Sequence, residues 1–425
     1  MSVLENARHS GAGEPGKTGA SGASAAPERP PQARRVPLAV GAVLAVALGG
    51  STAVVGGWRM AVLYAIGLAF GIVLFHARFG FTSAWRQLVA VGQGRALRAH
   101  MLMLAVACAL FAPLLAAGVG VGVDPEGYVS PLGVSVVVGA FLFGLGMQIG
   151  GSCASGTLYN VGGGQTAIVF TLVGFIVGSV LGAWNFAFWT STMPSGPAIS
   201  LARTPLGYGG ALAVSLAVLG LIAAVTRIVA RRRQPPEVGR PPAVQGFARI
   251  VRGSWPLWVG AIALAGLNAL TLVFKGSPWG ITSAFALWGS KAAQGLGVDV
   301  SSWPYWSTPG NAETLANPVL AHATSVMDLG IILGALVAAA AGGSFVLHRR
   351  VPPKIMLGAI VGGILMGYGA RIAYGCNIGA YFGGIASFSL HGWLWAIVAI
   401  AGTYAGLKAR PLFGLAVPKP GDSSC

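Results

Sequence analysis

Residues Tyr368–Gly384 read YGARIAYGCNIGAYFGG, a single cysteine set among glycines at the end of an apolar run. The stretch has a twin. Laying Cys153 over Cys376, an offset of 223 positions, also brings Gly139 onto Gly362, Gly144 onto Gly367, Gly146 onto Gly369, Ile149 onto Ile372 and Gly156 onto Gly379. A second echo precedes each copy, because Gly80-Phe81-Thr82-Ser83-Ala84 returns 200 positions later as Gly280-Ile281-Thr282-Ser283-Ala284. Each half of the chain therefore carries a Thr-Ser-Ala loop followed by a cysteine loop.

These loops sit in a chain of 425 residues, 55 % of them hydrophobic and only 9 % charged, with a mean hydropathy of +0.73. Soluble domains carry about a quarter of their residues as charges, so the composition indicates an integral membrane protein. The 66 glycines suit packed transmembrane helices, since small residues let backbones approach where lipid supplies no hydrophobic drive. The alternation of a β-barrel is absent. The net charge of +17 does not indicate nucleic acid, because the arginines sit in short loops between apolar runs, as the positive-inside rule expects. Cys108, Cys153, Cys376 and Cys425 make no CxxC pair and the histidines no HExxH pair, so no metal or other cofactor is expected. Gly162-Gly163-Gly164 lacks the Gly-Lys-Ser/Thr of a phosphate loop, and ATP-driven transport would need a separate subunit.

Residues 1–36, rich in Gly, Ala, Ser and Pro, are expected to form a disordered cytoplasmic tail. The apolar run after Arg34 and Arg35 has the basic flank of a signal peptide but sits late and lacks a convincing cleavage site, so a retained first helix is expected. Spans of roughly 20 apolar residues are predicted at 37–55, 58–76, 99–119, 131–149, 166–188, 208–229, 255–274, 326–346, 354–373 and 389–407. With both termini cytoplasmic, the basic clusters around Arg34, Arg86, Arg232, Arg350 and Lys408 share one side, while Asp124, Glu126, Asp299 and Glu313 lie on the other. The first half then covers 37–230 with a repeat unit near 58–188; a basic cytoplasmic linker, 231–254, leads to the second half, 255–410, and a C-terminal tail, 411–425. The single span at 208–229 inverts the second unit relative to the first. The predicted fold is an all-α polytopic membrane protein of about ten transmembrane helices in two inverted repeats, with short re-entrant Cys/Gly loops, a common transporter plan. The segment 276–317 is expected to be an external loop, with Trp279, Trp288, Trp303 and Trp306 as interfacial anchors.

Irregular backbone at membrane depth is tolerated only where protein or a water-filled path surrounds it. Gly150–Gly156 and Gly375–Gly379 are therefore candidate breaks along a path. Helix ends at such breaks offer unpaired N–H groups and partial positive charge, which suit an anion. Arg371, five residues before Cys376, adds a formal charge unless its side chain snorkels to the interface. A thiol is a weak donor and a polarizable acceptor, so twinned thiols suit a soft sulfur anion. Packing is the alternative, and it is the reading given to Cys108 in LAVACALFA; Cys425 is read as an idle tail residue. A further alternative is a membrane sulfurtransferase whose cysteines carry persulfide, with Arg371 favouring the thiolate. His391 is the nearest base, at the start of the next span. A purely structural scaffold is the third possibility.

At these residues the sequence resembles the YeeE/YedE family of sulfur-transport membrane proteins. GGILMGYGARIAYGCNIGAYFGGIASFSLHGWLW, from Gly362 to Trp395, is similar to the YedE branch, and GAFLFGLGMQIGGSCASGTLYNVGGG, from Gly139 to Gly164, repeats it more weakly. The resemblance implies an inner-membrane protein with pseudo-symmetric halves and a narrow path on which cysteines contact thiosulfate through S–H···S and S–H···O interactions. Carried over residue by residue, Cys153 and Cys376 are path cysteines, framed by Gly156, Gly375, Asn377, Gly379 and Arg371. Family members that take up thiosulfate also have a cysteine in the first short loop, where this chain has Thr82; Thr82 and Thr282 are kept as hydroxyl contacts. The implied function is transport of thiosulfate or a related small sulfur anion across the bacterial inner membrane, without catalysis. A small soluble sulfur-carrier protein is the implied partner beside the lipid bilayer. The YedE branch is also linked to selenium metabolism, which leaves the chalcogen open.

Overall fold

The first apolar run is too long for one crossing. A computed structural model, which describes residues 32–235, 246, 248–347 and 350–419, assigns 43 residues to α1 (Arg35–Ala77), about 65 Å as a straight helix against a hydrocarbon core of about 30 Å. The helix breaks at Gly57, whose φ of 75° and ψ of −176° lie in a region open essentially to glycine. The chain turns back there, and the Tyr64 hydroxyl of the second arm donates to the Ala45 carbonyl of the first at 3.0 Å. The two arms are the spans predicted at 37–55 and 58–76.

The rest of the first half comprises α2 (Phe81–Val91), α3 (Arg95–Ala116), α4 (Val134–Ile149), α5 (Ala154–Gly162), α6 (Thr166–Trp184) and α7 (Gly207–Arg233). After α8 (Ala248–Arg252) the second half runs through α9 (Leu257–Lys275), α10 (Thr282–Gly295), α11 (Pro304–Ser307), α12 (Pro309–Ala316), α13 (Ala323–Ala341), α14 (Pro353–Ile372), a π-helical turn (Asn377–Gly383), α15 (Gly384–Ala386) and α16 (Leu390–Ala409). The described strands are a two-stranded pair, β1 (Pro131–Gly133) against β2 (Ser195–Ala198). Among the described residues, nine helical runs are long and apolar enough to cross a membrane; the first holds both arms of α1, which makes ten candidate crossings among those residues.

Glycine contacts give the relation between the halves. At the crossing of α4 and α14, a Cβ on Gly139 would strike the Gly369 carbonyl and one on Gly369 the Gly139 carbonyl; Gly146 and Gly362 oppose each other in the same way. Low numbers meet high ones, so the two helices are antiparallel. The 223-residue offset turns the first pair into the second, as a two-fold axis across both helices requires. The flanking helices obey the same operation: Gly402 of α16 abuts the Phe141 carbonyl and Gly406 that of Leu145, while Gly178 of α6 abuts the Ile364 carbonyl and Gly182 that of Tyr368. Phe141 and Leu145 map onto Ile364 and Tyr368 by the same offset. The second unit is thus an inverted copy of the first, and close backbone approach at glycine is what holds the two together.

Three expectations change. The Thr-Ser-Ala segments are the starts of helices α2 and α10 rather than loops, because Phe81, Ala84, Trp85, Leu88 and Val91 recur at helical spacing. The cysteine loops likewise shorten to a few residues before α5 and the π-helical turn. Much of 276–317 is helical, and two of its tryptophans are core residues rather than interfacial anchors: Trp279 stacks on Phe70 at 3.9 Å between centroids, and the buried Trp306 donates to Ser290 Oγ at 2.9 Å. Residues 1–31 of the expected tail, residues 236–245 and 247 of the basic linker, and Cys425 lie outside the described residues.

Candidate functional site

The twin cysteines occupy the same structural position. α4 ends at Ile149, a turn of three residues follows, and Cys153 caps the start of α5; α14 ends at Ile372, and Cys376 caps the π-helical turn. Both caps are extended, so the first N–H groups of the following turn have no carbonyl behind them. In the second half the break is sharper. Tyr374 has a φ of 56° and Gly375 a φ of 146°, the former costing roughly 1–2 kcal/mol in a residue with a Cβ. The turn is held from both flanks: the Tyr128 hydroxyl donates to the Tyr374 carbonyl, and His391 Nε2 lies 2.9 Å from the Ala373 carbonyl. In the first half, Thr171 Oγ1 donates to the Gly150 carbonyl at 2.9 Å.

Both thiols are sealed, each 1 % exposed. Cys153 Sγ lies 3.6 Å from Ser155 Oγ, and Cys376 Sγ accepts from the Ile378 N–H at 3.4 Å. The two cysteine segments are brought together where α5 packs against the π-helical turn. Asn377, next to Cys376, is fully buried with both ends of its amide unpartnered among the described residues, an arrangement that costs free energy unless something else fills the site. The framing glycines differ. A Cβ on Gly156 would collide with Ser152 Oγ, whereas one on Gly379 would meet nothing within 4 Å. Gly375 is the strained position.

The two Thr-Ser-Ala helices are tied to the cysteine segments by one residue in each half. Arg371 Nη2 donates to the Thr282 carbonyl at 2.7 Å and Nη1 to the Tyr305 hydroxyl at 2.6 Å, with the guanidinium 4.9 Å from the Tyr305 ring centroid. These bonds hold the side chain against Tyr305 and the start of α10, so two of its nitrogens are engaged by protein. The residue 223 positions earlier is Gln148, and its Nε2 donates to the Thr82 carbonyl at 3.3 Å. The same clamp is thus neutral in one half and cationic in the other. Thr82 is 4 % exposed with its hydroxyl unpartnered among the described residues, and Thr282 is 7 % exposed.

The sequence reading passed over Gln148, Lys275 and Asp328. An aspartate inside the predicted span 326–346 was the available signal, since ionisable residues within spans mark functional positions by default. Cys108 packs at 0 % exposure and donates to the Ile385 carbonyl at 3.5 Å. Among the described residues no three His, Cys, Asp or Glu side chains converge as a metal site would require.

A family model described as sulphur transport matches residues 76–405. The thiosulfate transporter TsuA of Spirochaeta thermophila is 30 % identical over 351 residues, covering 80 % of this chain and 95 % of that protein. The Escherichia coli protein of the same name is 26 % identical over 351 residues, covering 80 % and 91 %. The probable transporter YedE of Escherichia coli is 32 % identical over 165 residues, 38 % of this chain and 40 % of that protein. The similarity to YedE is thus confined to part of the chain, while that to the two TsuA proteins runs along most of it.

Proposed function

The chain belongs to the sulphur transport family of membrane transporters, and from that membership we propose that it carries thiosulfate, or a closely related small sulfur anion, along a narrow path that passes Cys376 and then Cys153. Three features support the reading: the relatives' names, the inverted repeat, and above all the twin cysteines, each buried at the start of a short helix. The soft terminal sulfur of the anion suits the polarizable thiols, and its oxygens suit unpaired helix N–H groups, the Asn377 amide and the charge of Arg371. Gly375 keeps the backbone close on the Cys376 side, as Gly156 does for Ser152 on the other, while Gly379 leaves open space beside it. Thr82 and Thr282 are hydroxyl donors at the edges of this path.

The thiols are closed off in this conformation, so passage requires each mouth to open in turn. The protein sits in the bacterial inner membrane with both termini cytoplasmic, the orientation the basic loops favour. A small soluble sulfur-carrier protein would receive the anion on the cytoplasmic side. The test is uptake of sulfur-labelled thiosulfate by cells lacking their own importers, comparing wild type with Cys376→Ala and Cys153→Ala at equal membrane abundance. Loss of uptake in both variants supports the path. Background uptake by the wild type removes thiosulfate as substrate, and undiminished uptake by both variants returns the cysteines to packing. A persulfide trapped on either cysteine would favour sulfur transfer instead.

A further inference from the structure

Asp328 stands five residues after Ala323, which opens α13. It is fully buried, and neither carboxyl oxygen has a hydrogen-bond partner among the described residues. The backbone beside it is fixed, since Met327 presses against Gly67 of α1 with no room for a Cβ between them. Lys275, at the end of α9, is the neighbouring charge, and the Pro278 that it holds packs against Gly383 of the π-helical turn capped by Cys376. The Lys275 ammonium donates to the Pro278 carbonyl at 3.3 Å.

Other titratable groups on elements packed against α13 are engaged elsewhere: Arg59 of α1 donates to the Phe274 carbonyl at 3.0 Å, His76 of α1 lies against Trp255, and Arg249 of α8 donates to the Ser254 carbonyl at 2.9 Å. Tyr64 of α1 is bonded to Ala45, Tyr159 of α5 lies against Gly80, and Lys291 of α10 donates to the Leu315 carbonyl at 2.9 Å. His322 caps α13 itself, accepting from the Ser325 N–H at 3.3 Å. Arg252 of α8 lies at the far end, beside Gly342. A carboxylate held this way would have no hydrogen bond and only the Lys275 charge to offset its burial, a state proteins relieve by taking up a proton. An anion arriving at Cys376 adds a second reason: an ionised Asp328 repels it, whereas the neutral acid leaves the Lys275 charge to attract it.

We propose that Asp328 is a proton-binding site that couples movement of the sulfur anion past Cys376 to movement of at least one proton in the same direction. The proposal rests on the transport reading above. The carboxylate takes a proton from water on the side the anion comes from, the neutral acid and the anion share the closed state, and the O–H proton returns to water when the opposite mouth opens. Only that O–H bond forms and breaks.

The experiment uses the full-length protein in liposomes with labelled thiosulfate as probe. Exchange at equal pH reports the transport reading, and accumulation under an acid-outside gradient, with the membrane potential clamped at zero, reports the coupling. One coupled proton concentrates the anion up to about tenfold per unit of pH difference. Wild type is expected to do both; Asp328→Asn is expected to exchange without accumulating, and Asp328→Glu to recover accumulation. Wild-type exchange without any response to the gradient, or undiminished accumulation by Asp328→Asn, overturns the proposal. If wild type does not exchange at all, the transport reading fails, and infrared difference spectra decide separately. A protonated-carboxyl band lost in Asp328→Asn supports the proton site, and its absence from wild type overturns it.

Discussion

Replacing Arg371 by glutamine separates two roles that one side chain combines. The structure contains its own control, because Gln148 at the equivalent position already reaches the Thr82 carbonyl at 3.3 Å, so Arg371→Gln is expected to keep the hold on Thr282 while losing the charge. A unit charge about 10 Å from a dianion, at an effective dielectric constant of about 20, contributes about 3 kcal/mol. Arg371 is only half-buried, and screening cuts this to about half. The apparent KM for thiosulfate should therefore rise about 10- to 100-fold, with the maximal rate changed far less. The bond to the Tyr305 hydroxyl, 2.6 Å in the wild type, is lost as well, at about 1–3 kcal/mol of stability. Initial uptake rates into liposomes over a range of thiosulfate concentrations, with a thermal melt of the same preparation, measure both quantities. An unchanged KM in a folded variant would refute the assignment of Arg371 as the attracting charge. Arg371→Lys, which keeps charge but lacks the two-pronged donor geometry, should differ in KM, staying nearly normal there while its melting temperature falls too.

Other substitutions discriminate packing from transport. Gly362→Ala would push a methyl group against the backbone of Gly146 and Gly150, an overpacking worth about 1–3 kcal/mol, and a melting temperature no lower than wild type would count against the glycine-mediated crossing. Gly379→Ala meets no heavy atom within 4 Å, so its melting temperature should match wild type while thiosulfate uptake falls; unaffected uptake would remove this glycine from the path. Cys108→Ala loses one weak S–H···O contact of 3.5 Å, at a cost of about 1 kcal/mol or less, and uptake per folded molecule should stay at the wild-type level. His391→Phe removes the bond that holds the Ala373 carbonyl before the strained turn and should lower both stability, by about 1–3 kcal/mol, and uptake.

The repeat was legible because glycine leaves a mark that other residues cannot overwrite. Where two backbones touch, as at Gly139 with Gly369 and Gly146 with Gly362, no side chain can be exchanged in, and the spacing survives in both halves of the sequence. The clamp was illegible for the opposite reason. Glutamine and arginine look unrelated, yet Gln148 and Arg371 both reach a threonine carbonyl, a function defined by reach and donor geometry rather than residue type. The tryptophans of the 276–317 segment misled because their indoles serve equally well at an interface or in a core. Burial decided that Trp279 and Trp306 belong to the core. The short helices α2 and α10 read as loops because Gly80 and Gly280 drew attention away from the apolar spacing that follows. Asp328 was visible as a charge in an apolar run, but its unpartnered oxygens emerge only when α1, α5 and α10 are packed against α13.

The central claim is that one path enters the inverted repeat past Cys376 and leaves past Cys153. Its most direct test uses full-length protein in oriented liposomes, with Cys108 and Cys425 replaced by alanine and a membrane-impermeant thiol reagent applied to one side at a time. Outside reagent is expected to label Cys376 slowly, inside reagent to label Cys153, and thiosulfate to protect both. Labelling of both cysteines from the same side, or labelling that thiosulfate leaves unchanged, would contradict the account.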